Sequence, residues 1–119
     1  MVQHAEKISN EMRKAIDNCM SCSTTCEETI AYCMDMPGTM MDAANMRVLM
    51  DCAAVTKVCA DMMCRMSSMY REMCAMCARI CTMCAEMAMK MPGDAQMMKL
   101  AEACRACAAS CQTMAGATV

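Results

Sequence analysis

Between Cys74 and Cys84 the chain reads CAMCARICTMC. Its thiols recur three, four and three residues apart, the spacing that gathers side chains on one face of an α-helix. At such spacings Cβ atoms lie about 5–6 Å apart, so two thiolates can hold one metal ion between them in near-linear coordination. Similar spacing recurs at Cys19, Cys22, Cys26 and Cys33, and again at Cys104, Cys107 and Cys111. Soft thiolate sites favour Cu(I), zinc and iron–sulfur clusters. Zinc asks for four ligands in a tetrahedron and an iron–sulfur cluster for four converging cysteines, whereas one helical face offers two or three. Cu(I) accepts two or three sulfurs. If each thiolate bridges two Cu(I) ions and each ion takes two thiolates, the ratio is one to one and the assembly is neutral. Neutrality matters because uncompensated charge in a dry core is costly.

Two other uses of thiols compete with this one. Buried cysteine packs as a small hydrophobe, but larger aliphatic side chains would bury more apolar area at each position. Disulfides are the second. Cysteines three or four apart in mid-helix run parallel, which suits poorly a bond with a dihedral near ±90°, although bridges between helices remain open.

The elements that must position the thiols follow from breaks and periodicity. Met-Pro-Gly occurs at Met36–Gly38 and at Met91–Gly93, each followed by a capping residue, Thr39 and Asp94. Ser67-Ser68 is a softer break that can end one helix and cap the next, with Glu72 in the new first turn. Four helices are expected, over about 4–35, 40–66, 69–90 and 94–115. Three short connections favour antiparallel neighbours. The expected fold is therefore all-α, a single-domain, up-down-up-down four-helix bundle with a cysteine-lined core.

At about 100° per residue, the four cysteines of helix 1 fall within an arc of roughly 60°, extended by Ile8, Met12, Ala15 and Ile30. Those of helix 3 (Cys74, Cys77, Cys81, Cys84) span roughly 80°. In helix 4 the cysteines share a stripe with Met97, Leu100 and Met114; in helix 2, Cys52 and Cys59 align with Met41, Val48, Val55 and Met63. Cys64 falls well off that line, toward the bundle's edge. A stripe continuous with Ile, Leu and Val must face the core, so about thirteen thiols are expected inside. Helix 3 carries a second apolar arc, Met73, Met76, Ile80, Met83 and Met87, which implies burial against another copy of the chain.

Methionine is the commonest apolar residue, with 22 against 14 Cys and no Phe or Trp. In an antiparallel bundle both Met-Pro-Gly turns lie at one end, which collects Met34, Met40, Met41, Met87 and Met97 among others. A thioether is a soft, neutral ligand that binds Cu(I) more weakly than a thiolate, so this end can form a mouth that passes copper inward. Methionine is equally good as plain core filler. His4 is the single histidine, near a terminus, which leaves little for general acid–base catalysis. Tyr32 and Tyr70 read as packing residues.

Composition excludes several other classes. A net charge of −2 without a Lys/Arg cluster argues against nucleic acid. No apolar run reaches the ~18 residues of a membrane span. The start, MVQHAEKIS, lacks signal-peptide features, so the expected compartment is the cytoplasm, or outside it if a leader has been removed.

The stretches CMSCSTTCEETIAYC, NMRVLMDCA, CAMCARICTMCAEM and AEACRACAASCQTM together resemble the bacterial four-helix-bundle copper storage proteins, especially their cytosolic members. The resemblance covers nearly the whole chain. It implies a non-enzymatic, oligomeric bundle, typically a tetramer, holding many Cu(I) ions on inward cysteines. It carries over as ligands Cys19, Cys22, Cys26, Cys33, Cys52, Cys59, Cys74, Cys77, Cys81, Cys84, Cys104, Cys107 and Cys111. Cys64 has no clear counterpart but is counted with them as a candidate metal ligand, as are Met34, Met40, Met41, Met87 and Met97. Where relatives often carry histidines, this chain has other residues, as at Met20, Met46 and Tyr70. The expected function is Cu(I) storage or sequestration. The alternatives are a metallothionein-like zinc or cadmium buffer and a structural bundle with inert thiols.

Overall fold

A computed structural model describes residues 8–36 and 41–116. Among them are four helices: α1 (Asn10–Asp35), α2 (Ala43–Cys64), α3 (Tyr70–Ala88) and α4 (Ala95–Ala115). Each helix packs on its neighbour in sequence, and α4 closes the square on α1. Among the described residues the backbones of diagonal helices stay apart, so the axis of the bundle is left to side chains. The result is an antiparallel four-helix bundle measuring 51 × 23 × 20 Å, the architecture expected from short connections.

The helix starts are set by polar caps. Ser9 accepts a hydrogen bond from the Met12 amide, Asp42 from Asn45 and Asp94 from Met97. Each satisfies one of the donors that a helix start leaves open. Asp94 is the cap read from the sequence. The cap of α2 is Asp42, so α2 begins after the expected position 40, and α1 begins at Asn10 rather than near residue 4. His4, the first Pro-Gly turn with Thr39, and Met40 lie outside the described residues. The α2–α3 corner differs from expectation. Met69 occupies the cap position of α3 without a side-chain bond, while the Ser67 hydroxyl accepts from the Met69 amide. The preceding Met66 takes φ 53°, a left-handed conformation that turns the chain.

The core is built from cysteine, alanine and methionine, with Ile16, Leu49 and Leu100 as its fully buried branched side chains. The buried face of α2 is rotated from the expected one. Leu49, Ala53, Thr56 and Ala60 are buried toward the interior and α1, whereas Val48 and Val55 are only half-buried. Alanine permits this, because small residues let α1 and α2 approach closely.

Candidate metal centre

Twelve cysteines are buried: Cys19, Cys22 and Cys26 on α1, Cys52 and Cys59 on α2, Cys74, Cys77, Cys81 and Cys84 on α3, and Cys104, Cys107 and Cys111 on α4. No disulfide joins any cysteine. Cys33 is half-buried and packs against the core, and Cys64 is exposed. Of about thirteen thiols expected inside, Cys33 is thus at the margin, and Cys64 lies off the stripe.

The buried sulfurs touch one another across helices. Starting from Cys111, contacts run to Cys19 (3.5 Å), Cys107 (3.5 Å) and Cys77 (4.0 Å). They continue to Cys81 (3.9 Å), Cys52 (3.8 Å), Cys104 (3.9 Å) and Cys22 (3.7 Å). Cys59 and Cys74 are 3.6 Å apart beside the first part of this path. Three sets stand out in which every sulfur lies within 4.8 Å of the others: Cys19/Cys59/Cys77/Cys111, Cys22/Cys26/Cys52/Cys104 and Cys22/Cys81/Cys107. The antiparallel topology creates these sets, because it brings i,i+3 and i,i+4 repeats of four helices to the same axial level.

Among the described residues, no charged side chain is buried with the thiols. The buried polar groups among the described residues are Thr25, Thr29, Thr56 and Ser110. Their hydroxyls turn away from sulfur to backbone carbonyls, as Thr56 does to Cys52 and Ala53. Thiol acidities diverge within this network. Hydrogen bonding to Cys111 and then burial hold Cys74 up at about 12. Cys59, Cys104 and Cys107 are also raised, each first by a neighbouring thiol. Cys22, Cys77, Cys84 and Cys111 are lowered because neighbouring thiols stabilise their thiolates. One thiolate among several thiols is therefore favoured, whereas adjacent thiolates need a cation between them.

The methionines divide. Met87 and Met97 are buried and Met41 is half-buried against the core, all toward the end where α4 begins. Met34 is 72% exposed and projects away from the thiols. Met12, Met63 and Met114 are buried at the opposite end. Thioethers thus close both ends of the thiol column, and methionine content alone does not mark a mouth. Met20 is exposed, and Met46 and Tyr70 are half-buried against the core.

The sequence reading missed Ile16, Leu49, Thr29 and Thr56, although all four follow the cysteine stripe at helical spacing. It also assigned Tyr32 to packing. The Tyr32 hydroxyl in fact donates to Asp94 Oδ2 at 2.6 Å, tying the end of α1 to the cap of α4. Beneath that contact, Gln96 donates to the Thr29 hydroxyl at 3.0 Å. Neither contact has a local sequence signal, since each joins residues distant along the chain.

The family model described as copper storage protein matches residues 8–116. Among solved structures, the Cu(I)-bound copper storage protein BsCsp3 superposes with TM-score 0.84 at 25% identity, covering 90% of this chain and 100% of that one. Ccsp from Streptomyces lividans, loaded with 10 copper equivalents, gives TM-score 0.84 at 26% identity, covering 91% of this chain and 86% of that one. A cytosolic copper storage protein from Streptomyces lividans with five coppers gives TM-score 0.84 at 25% identity, covering 92% and 95%. No curated protein sequence gives a significant match.

Proposed function

The chain belongs to the copper storage protein family, and from that membership we propose that it stores many Cu(I) ions on the thiolates of its bundle core. The observation that carries this reading is the continuous column of twelve buried thiols without a buried charged side chain beside it. Each Cu(I) that enters as one thiol proton leaves adds no net charge, so the column fills without the penalty of an ionised dry core. The ligands in this account are the twelve buried cysteines, with Cys33 at the edge. Cys64 stays outside the column.

Met41, Met87 and Met97 support a copper route at the end where α4 begins, with Met34 outside it. At that end the half-buried Cys33 lies between the surface and the column. The protein acts as a reservoir rather than as an enzyme, in the cytoplasm, the compartment named for one Streptomyces lividans relative. No helix among the described residues is long and apolar enough to cross a membrane. Self-association is supported by Met69, Met76 and Met83, exposed along α3, with Val58 exposed on α2. A tetramer is the assembly expected, to be checked by light scattering.

The deciding experiment is an anaerobic titration of the reduced protein with Cu(I) in the presence of a coloured Cu(I) chelator. Uptake of roughly ten or more equivalents before the chelator colours is the expected result for near one-to-one filling. Saturation at one or two equivalents would identify a carrier or sensor instead. No uptake would leave a structural bundle with inert thiols.

A further inference from the structure

A single helical face cannot surround a tetrahedral ion, but the bundle can. Cys19, Cys59, Cys77 and Cys111 come one from each helix, and their sulfurs all lie within 4.8 Å of one another. A zinc–sulfur distance of about 2.3 Å corresponds to a sulfur–sulfur edge of about 3.8 Å in a regular tetrahedron. The Cys19–Cys111 edge is 3.5 Å, so only slight side-chain movement closes the cage. A second, disjoint cage is formed by Cys22, Cys26, Cys52 and Cys104, with edges of 3.7 Å (Cys22–Cys104) and 3.9 Å (Cys52–Cys104). The third group, Cys22/Cys81/Cys107, shares Cys22 with the second and supplies three sulfurs.

We propose that the copper-free protein binds two divalent soft cations, Zn²⁺ or Cd²⁺, one in each four-thiol cage, and releases both when Cu(I) arrives. This rests on the Cu(I) storage reading for the release step only. Binding follows from geometry: both cages are preformed, dry and made of the donor that these ions favour. Release follows from charge. A divalent ion held by four thiolates leaves a net −2 in the core, and no buried cationic side chain among the described residues offsets it. Cu(I) with one thiolate per ion is neutral and therefore displaces the divalent ion. The first cage also ties all four helices together, so its occupancy raises the thermal midpoint of the bundle.

The test uses the reduced full chain under argon. Co²⁺ serves as the spectroscopic probe, and Zn²⁺ is counted by native mass spectrometry. Two equivalents should bind, and Co²⁺ should give the intense visible bands of tetrahedral sulfur coordination. Cys77→Ser and Cys104→Ser should each leave one tetrathiolate site, whereas Cys84→Ser, equally buried but in neither cage, should keep two. Helicity of each variant is read by circular dichroism. In wild-type protein, uptake of no divalent ion, uptake beyond two, or a Co²⁺ spectrum of six-coordinate oxygen type would overturn the proposal. Subsequent Cu(I) addition should expel both Zn²⁺ ions. If Cu(I) loads while zinc stays bound, the displacement argument fails and storage survives; if Cu(I) does not load at all, the storage reading fails and the two cages are judged on zinc alone.

Discussion

The two ends of the bundle use similar side chains to different effect. At the end where α1 begins and α4 finishes, Met12, Ile16, Met63 and Met114 are buried near the Cys59–Cys74 pair, and the Asn18 amide donates to the buried Ser110 hydroxyl at 2.6 Å. At the other end Met87, Met97, Leu49 and Leu100 are equally buried, and Thr29 and Gln96 form a hydrogen bond among them. There Cys33 is half-buried against the core, giving a thiol at intermediate depth between solvent and column, whereas Cys64 at the opposite end is exposed; half-buried methionines occur at both ends, Met41 here and Met66 and Met73 there. Each end thus carries one amide–hydroxyl contact between α1 and α4, and the ends differ in the depth at which their outermost thiol lies. The difference teaches that placement, rather than abundance, decides what a methionine does here.

The comparison can be broken most forcefully by opening the end where α1 begins. Met63→Ala leaves a cavity among fully buried neighbours and should cost about 2–5 kcal/mol, read from the urea midpoint of the copper-free protein. A cost below about 1 kcal/mol would mean that this end is not tightly packed.

Volume-conserving changes sharpen the functional side of the contrast. Met87→Leu with Met97→Leu should change stability by less than about 1.5 kcal/mol. It should nonetheless slow Cu(I) uptake several-fold in stopped-flow measurements at unchanged final capacity. Met12→Leu with Met114→Leu should leave the rate alone. Equal slowing by both pairs would erase the distinction between the ends.

Smaller effects are expected from the polar contacts at the α4 start. Asp94→Ala removes the cap bond to Met97 and the partner of Tyr32, and should cost about 1 kcal/mol in thermal denaturation. An unchanged midpoint would show that the latch is idle. The response to alkali should distinguish the opposite end. Cys74 ionises near 12 in the folded chain, against an ordinary value of 9.0. Its contribution is thus fully present below pH 9, where both folded and unfolded chains keep the proton. It is lost as pH rises toward 12, where only the unfolded chain has released it. The copper-free wild type should lose stability over that window, and Cys74→Ser should lose less. Parallel curves for the two proteins would contradict the assignment.

Much of this architecture was legible in the sequence because the information was periodic. Cysteines three and four apart state which face is buried, and the Met-Pro-Gly and Ser-Ser breaks state where helices stop. Asp94 was readable as a cap for the same local reason. What escaped were features that depend on neighbours. The rotation of α2 that buries Thr56 in place of Val55 reflects alanine-mediated approach to α1. Tyr32–Asp94 and Thr29–Gln96 join residues that no local motif relates. The four-thiol cages were invisible for a further reason. Each helix offers only one or two of the sulfurs, and the cage exists only once the axial register of all four helices is fixed.

The central claim is that copper resides on the buried sulfur column. X-ray absorption at the copper edge, on anaerobic protein loaded with about ten equivalents, tests it most directly. The account predicts monovalent copper with an all-sulfur first shell and copper neighbours at close range. A first shell containing nitrogen or oxygen, or isolated copper atoms without copper neighbours, would place the metal elsewhere and contradict it.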